Sequence, residues 1–256
     1  MNTTLNDEQK NFFNDFGYLI VESFFSAPQL DGVNESISNL AQSPFVDLYN
    51  DRLGKLRRME NFTFDSKILT ALNTIITNLL LNLTDENWVL FKDKVNFKPP
   101  GGEGFYPHYD GVFQYSKSDG ILKNGWYEYA DEFINVLIAL DDFTIENGAL
   151  FVSEKHSGSF SELILNTKLN GTPDLIEDVV EKCNFVPALV RRGGLVIFLN
   201  TCPHKSGPNL SVSSRGSLYW TYNREIFGNN YDAYFADKRS STNKFKALSG
   251  DLVSRS

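Results

Sequence analysis

The chain of 256 residues is poor in several residue types, and each shortage removes a class of function. Positive charge is outnumbered: 24 Lys and Arg stand against 32 Asp and Glu, a formal charge of −8. A nucleic-acid partner needs clustered cations to displace counterions from phosphates, so none is expected. Long apolar runs are missing too. No stretch approaches the ~20 residues that cross a bilayer, so no membrane partner is expected. The two cysteines, Cys183 and Cys202, lack CxxC spacing and are too few for a disulfide framework, so they read as reduced thiols. The opening MNTTLNDEQKNFFNDFGYLI carries acids early and lacks the basic segment, apolar stretch and cleavage site of a signal peptide. Cytoplasm is the expected location. Scarcest among residues useful for chemistry is histidine, with His108, His156 and His204 alone. A transition metal would have few residues to hold it.

What is abundant is aromatic surface, with 21 Phe, 11 Tyr and 3 Trp, enough to build a buried core and to exclude whole-chain disorder. Asn6 is placed to cap a helix over Asp7–Phe16 that Gly17 ends, and a short strand, Tyr18–Val21, should follow. Ser26 caps a second helix with Pro28 in its first turn, running to about Ala41. Between Asp65 and Leu83, Ile68, Leu69, Leu72, Ile75, Ile76, Leu79 and Leu80 recur at spacings of three and four, the pattern of a helix buried on a broad face. About residues 1–85 should therefore be mostly helical. From Trp88 the period changes to two, in WVLFKDKVNFK, FINVLIAL, ALFVS, FVPALV, GGLVIFL and RGSLYWTYN. Residues 86–225 should form a core of mostly antiparallel strands, with the helices packed outside. Ser116–Glu132 and the tail from 226 to 256 read as loops, and with no repeat or linker the whole chain, 1–256, reads as a single domain.

Chemistry enters with His108-Tyr109-Asp110. Residues i and i+2 of an extended chain point to one side, so His108 and Asp110 can offer an imidazole and a carboxylate together. That is two thirds of the 2-His-1-carboxylate face that holds non-haem iron. Among 32 acidic residues one such match is weak alone. His204 follows 96 residues later in GGLVIFLNTCPHKSGPN, at the end of an apolar strand that Gly193 and Gly194 introduce. Arg215 comes eleven residues after it, on a strand face shared with Ser217 and Tyr219; its planar fork suits a carboxylate.

Taken together these residues resemble the phytanoyl-CoA dioxygenase family of Fe(II)/2-oxoglutarate oxygenases over most of the chain. Further matches are Leu140–Val152 around the Asn147-Gly148 turn, and Ser206 two after the distal histidine. The resemblance implies a double-stranded β-helix, the jelly-roll or cupin-like fold, with Fe(II) on His108, Asp110 and His204. It also implies 2-oxoglutarate as co-substrate held by Arg215 and Ser206, O2 as oxidant, and a small-molecule substrate. An intact Asp110 implies hydroxylation, since related halogenases replace this carboxylate with a small residue.

LRRMENF (Leu56–Phe62), LFKDKVNFKPPGGEGFYPHYD (Leu90–Asp110) and YFADKR (Tyr234–Arg239) are similar to the organophosphonate hydroxylases of that family. These act at the carbon next to phosphorus in 2-aminoethylphosphonate or its trimethylammonium analogue. Lys92, Lys94, Asn96 and Lys98 share one strand face, with Val89, Phe91, Val95 and Phe97 on the other. The polar face is either solvated or turned inward, with Asn96 and Lys98 toward 2-oxoglutarate. Arg58, Tyr109, Lys94 and Tyr219 are the candidates for contact with substrate, and Arg57 can add charge at the mouth. The subgroup's Pro-His-Gln-Asp reads Pro107-His108-Tyr109-Asp110 here, its Gly-rich turn contains Glu103, and its Pro-Gly-Ser-His reads Ser153-Glu154-Lys155-His156. Phe113, Tyr115, Trp126, Tyr127 and Tyr129 either pack over a cleft or box a quaternary ammonium. His156 and Cys202 have supporting, packed roles. Other readings are the same chemistry on a free amino acid, a natural-product intermediate or an acyl-CoA, and a non-catalytic scaffold.

Overall fold

The computed structural model describes residues 4–51, 54–116, 120–240 and 253–254. Local capping sets the helices. In α1 (Asp7–Phe16) the Asn6 side chain accepts from the Gln9 backbone at 2.8 Å while the Gln9 side chain accepts from the Asn6 backbone at 3.0 Å. Two otherwise orphaned donors are satisfied at once. Gly17, at φ 78°, ends the helix in the left-handed region where a Cβ is penalised. β1 (Tyr18–Val21) follows, then α2 (Ala27–Leu40), whose Ser26 and Gln29 repeat the same reciprocal cap. β2 (Asp47–Asn50) and β3 (Leu56–Glu60) precede α3 (Lys67–Thr84), which buries Leu69, Leu72, Ile76, Leu79, Leu80 and Leu83. At roughly 2 kcal/mol per buried leucine or isoleucine, that stripe anchors the helical layer. It is narrower than the periodicity predicts, because Ile68 remains exposed.

β4 (Trp88–Lys98) opens the strand-rich region and β5 (Phe105–His108) follows it. After the two-residue strands β6 (Tyr115–Ser116) and β7 (Leu122–Lys123) come β8 (Phe133–Ala139) and β9 (Leu150–Val152). Short helices α4 (Phe160–Leu163) and α5 (Glu177–Val180) precede β10 (Val186–Pro187), β11 (Leu195–Leu199), β12 (His204–Ser206) and β13 (Arg215–Arg224). The chain then forms α6 (Tyr231–Ser240) and the backbone of β14 (Val253–Ser254). Eight strands make the larger sheet in the order β1-β11-β8-β13-β4-β3-β2-β14, and four make the smaller in the order β10-β9-β12-β5. Every named pairing is antiparallel, and the two sheets form a jelly-roll with the long helices outside.

Three expectations change. The first 85 residues hold β2 and β3 as well as helices, because Leu56–Glu60 completes the free edge of β4, pairing Arg58 with Asn96 and Glu60 with Lys94. Two central arginines hide that strand from any apolar pattern. The stretch 116–132 contains the β6–β7 hairpin and a 3-10 turn at Gly125–Glu128. Residues 226–256 are not simply a tail: α6 buries Tyr231, Tyr234 and Phe235. Most of the stretch from 241 to 256 lies outside the described residues.

Phe91 is a fourth, local departure. β13 pairs Thr221 with Lys92 and Tyr222 with Leu90, so Phe91 is left over as a bulge. Its ring turns to Phe133 at 4.9 Å and Tyr234 at 4.7 Å, on the side of Lys92.

The outer face of β4 carries a buried hub. Asp93, 1% exposed, accepts from the backbone N–H groups of Asn61 (2.7 Å), Phe62 (3.0 Å) and Thr63 (2.7 Å) and from the Tyr231 hydroxyl (2.9 Å). One carboxylate thus ties the β3–α3 connection and α6 to the larger sheet. Asp93→Ala would strand those donors in the interior and should cost about 3 kcal/mol, seen as a fall in Tm of about 10 °C by calorimetry. A change within 2 °C, on the order of 0.5–1 kcal/mol, would show that the hub carries no such weight.

Candidate metal centre and adjoining cavities

β5 and β12 lie side by side with His108 directly opposite His204, their ring centroids 4.2 Å apart. Asp110 follows two residues beyond His108, and its loop is pinned by Asn200. The Asp110 N–H donates to the Asn200 carbonyl at 3.0 Å, and the Asn200 amide donates to the Asp110 carbonyl at 3.1 Å. One ligand atom from each of His108, Asp110 and His204 falls within 4.8 Å of the others. The Nδ1 of His108 faces the Tyr106 carbonyl at 2.7 Å, and that of His204 faces the Cys202 carbonyl at 3.0 Å. These contacts assign the proton to Nδ1 in both rings and leave each Nε2 lone pair free.

Electrostatics favours the same states. Burial, with His108 beside it, pushes His204 down to about 3, which keeps its imidazole neutral and able to ligate. Burial acts against ionisation of Asp110, but the Lys94 and Lys92 ammoniums among its neighbours outweigh it and hold the carboxyl well below the usual carboxylate range. The Tyr219 hydroxyl, on the larger sheet, donates to one oxygen of Asp110. Two neutral imidazoles and one ionised carboxylate are the donor set that suits ferrous iron.

The larger sheet forms the floor. Its β4–β13 ladder pairs Lys98 with Arg215, Asn96 with Ser217, Lys94 with Tyr219 and Lys92 with Thr221, all facing inward. A cavity of about 310 Å³ lies over Asn96, Lys98 and Arg215, between His204 and Ser206 on one side and Tyr219 on the other. Arg215 stacks on Phe143 at 4.5 Å, and its buried Nε has no acceptor among the described residues. Lys98 donates to the Ser206 hydroxyl (2.9 Å) and to the carbonyls of Gly207 (2.7 Å) and Gly148 (3.3 Å). Gly148 is required there: φ is +74°, and a Cβ would sit 2.5 Å from the Gly207 oxygen. A buried guanidinium with an idle N–H beside a buried ammonium fits a carboxylate of a small diacid such as 2-oxoglutarate.

A second cavity of about 340 Å³ adjoins the first, and Arg58, Lys94, Gly104, Phe105 and His108 border both. A side chain at Gly104 would collide with the Ser206 carbonyl, its Cβ only 2.0 Å away. The second cavity continues past Asp110 to Lys92, Trp126, Tyr234, Glu60 and Lys238. Neither Lys92 nor Lys94 has an ion pair or hydrogen-bond acceptor among the described residues; each ammonium lies over aromatic rings. Burial, with Arg58 adding, pushes Lys94 down to about 8. Glu60 stays ionised at about 2: burial works against it, but Lys238, Arg58 and Lys92 outweigh that.

The cavities bring together most residues singled out in the sequence. Asn96, Lys98, Ser206, Arg215 and Tyr219 line the first, while Arg58 and Lys94 border both. Tyr109 is elsewhere. It lines neither cavity, is fully buried with Val112, Leu163, Ile164 and Leu175, shares a hydrogen bond between its hydroxyl and His156 Nδ1, and accepts from Asn166 at 3.0 Å. Strand alternation that turns His108 and Asp110 inward turns Tyr109 away from both cavities to the back of the smaller sheet. His156 is its partner, and Cys202 is buried with its thiol pushed up by burial. Of the aromatic stretch, Phe113 and Trp126 face the second cavity; Tyr115, Tyr127 and Tyr129 do not line it. Glu60, Lys92, Lys238 and Tyr234 were not singled out as site residues. Their signal was available, since LRRMENF and YFADKR meet here through the Lys238–Glu60 ion pair.

Comparison with known proteins agrees with this geometry. The methylphosphonate hydroxylase of Gimesia maris is 28% identical, covering 99% of this chain and 94% of that protein. A 2-aminoethylphosphonate dioxygenase from an uncultured bacterium is 28% identical, covering 91% and 87%. EctD from S. alaskensis, solved with 2-oxoglutarate and 5-hydroxyectoine, superposes with a TM-score of 0.65 at 17% identity over 87% of this chain and 78% of that one, a likeness of fold. The model for phytanoyl-CoA dioxygenase (PhyH) matches residues 13–217. Because that span covers most of the chain and contains both histidine-bearing strands, the chain belongs to the phytanoyl-CoA dioxygenase family, and it is a dioxygenase that uses Fe(II), 2-oxoglutarate and O2.

Proposed function

We propose that this dioxygenase hydroxylates the carbon next to phosphorus in a short organophosphonate, the class that contains 2-aminoethylphosphonate and its N-methylated analogues. One observation carries the reading: the Lys94 ammonium lacks any acceptor among the described residues, yet it stands with Arg58 and His108 where the two cavities meet. A phosphonate dianion demands donors of this kind once it leaves water. The two relatives named for phosphonate oxidation, each matching over nine tenths of this chain, support it.

In this reading His108, Asp110 and His204 hold the iron, which with 2-oxoglutarate and O2 supplies the oxidising power. Arg215, Lys98 and Ser206 orient the co-substrate in the first cavity, with Asn96 alongside. Lys94 and Arg58 position the phosphonate so that its α-carbon faces the metal from the second cavity. Tyr219 fixes the Asp110 carboxylate in orientation. Asp110, as an intact carboxylate ligand, leaves no room for a halide and directs the outcome to hydroxylation.

With Fe(II), 2-oxoglutarate and O2, a short alkylphosphonate should yield succinate and a product with one added oxygen, read by mass spectrometry. His108→Ala and Asp110→Ala should abolish both products, and undiminished turnover in either would overturn the metal assignment. Arg215→Ala should raise KM for 2-oxoglutarate about 100-fold, the loss of a charge-assisted pair. Failure of every phosphonate alongside turnover of an amino acid would replace the substrate and leave the chemistry standing.

Protonation gives an independent check. Burial, with Arg215 and Arg57 adding, pushes Lys98 down to about 7. A carboxylate docked beside it favours the ammonium and raises that value. Binding of 2-oxoglutarate above about pH 7 should therefore take up protons, and affinity should fall as pH rises further. Anaerobic calorimetry on metal-loaded protein, in buffers of different ionisation enthalpy, measures the uptake. Its persistence in Lys98→Met would assign it elsewhere.

A further inference from the structure

Two ring faces of the second cavity, those of Trp126 and Tyr234, are covered by the protein's own Lys92, and Tyr219 of the first cavity is covered by Lys94. Lys92 Nζ lies 4.2 Å from the centre of the Trp126 ring and 5.7 Å from that of Tyr234, and Lys94 Nζ lies 3.9 Å from that of Tyr219. Lys92 is 8% exposed and has neither an ion pair nor a hydrogen-bond acceptor among the described residues. An ammonium so placed exchanges its water for ring quadrupoles and the charges of Asp110 and Glu60, and burial pushes it well below the usual lysine range all the same. A methionine would fill similar space without that desolvation cost, so fold stability gives no reason for a charge at this position. Trp126 and Tyr234 are also the kind of ring faces that would otherwise receive a quaternary ammonium.

We propose that Lys92 is a specificity-determining residue, filling the aromatic box from within so that the cavity takes phosphonates with a short uncharged tail and rejects those ending in a quaternary ammonium. This rests on the phosphonate reading above and narrows it to the members of that class whose tail carries no positive charge. With the head group at Arg58 and Lys94, where the cavities join, the tail runs into the second cavity past Lys92. A tail cation there meets a like charge and finds its ring faces taken, while Glu60 is engaged by Lys238 and Arg58. The aromatic stretch that can box a substrate's ammonium instead holds a lysine, and selection works by repulsion as much as by fit.

The test compares ethylphosphonate with 2-trimethylammonioethylphosphonate in the wild-type enzyme and in Lys92→Met and Lys92→Arg. The wild type should favour ethylphosphonate in kcat/KM by about tenfold or more, and Lys92→Met should shift that ratio toward the quaternary substrate by about tenfold. Lys92→Arg should keep the exclusion, and the Tm of Lys92→Met should equal or exceed that of the wild type. Equal turnover of both substrates by the wild type, or an unchanged ratio in Lys92→Met, would overturn the proposal. Calorimetric titration with tetramethylammonium chloride separates this proposal from the phosphonate reading. Binding to Lys92→Met and not to the wild type supports a filled box even if no phosphonate is turned over; binding to neither, or equally to both, overturns it.

Discussion

The site depends on the register of β4 against β13. Ten residue pairs run along this ladder, and alternation sends one pair to the helices and the next to the cavities. A slip by one position would carry Lys94, Asn96, Lys98 and Arg215 into the apolar layer and Val95, Leu218 and Trp220 into the active site. The outer face prevents that slip with directional bonds. Trp220 Nε1 donates to the Thr63 hydroxyl at 2.9 Å, the Tyr222 hydroxyl donates to Asn73 at 2.9 Å, and Asp93 gathers its four donors. Fixing the outside of the sheet fixes what the inside presents.

The inner face is expensive to build. Arg58, Lys92, Lys98 and Arg215 are all buried, and desolvation lowers the pKa of each of the last three. Glu60 answers part of that charge, through Arg58 and Lys238, and Asp110 answers part through its proximity to Lys94 and Lys92. The remainder finds only rings, hydroxyls and carbonyls. Cations kept without counter-charge in a fold of net charge −8 are costly, and a fold under selection for stability alone would have replaced them. The acidic surface and the basic interior are therefore separate facts. The first bears on which macromolecules the protein meets, the second on which small molecules enter it.

Much of this was legible in the sequence, for a physical reason. His108, Asp110, His204 and Arg215 lie on or beside strands, where period two fixes direction, so type and spacing carry geometry. The caps of α1 and α2 are likewise local and readable. What stayed hidden depends on partners distant in sequence. β3 is a strand because β4 has an open edge, and two central arginines erase its apolar signature. α6 is only weakly amphipathic, and its Tyr234 and Lys238 acquire meaning only beside Phe91 and Glu60. Phe91 faces inward because of a bulge that no alternation rule anticipates. Tyr109 shows the reverse case: alternation alone places it behind the sheet, and only its position between two ligands made it a candidate for substrate.

The carboxylate ligand is also where the two sheets are joined. Both imidazoles come from the smaller sheet, on paired residues of β5 and β12, and their outer nitrogens are held by backbone carbonyls of the same strands or the turns that lead to them. Asp110 leaves the smaller sheet after β5 and is then grasped from the larger one by Tyr219, whose ring in turn underlies Lys94. A displacement of either sheet therefore moves the carboxylate relative to the imidazoles, and moves Lys94 with Tyr219. In the proposed reading this hydrogen bond links the anion-holding groups to the metal-holding ones, alongside the bonds of Asn200 to the Asp110 backbone and of Lys98 to Ser206. That coupling explains why a hydroxyl is placed under Asp110 when a smaller apolar side chain would leave the carboxylate ionised all the same. The tyrosine contributes alignment between two sheets that meet in few other polar contacts at this depth, among them Lys98 with Ser206.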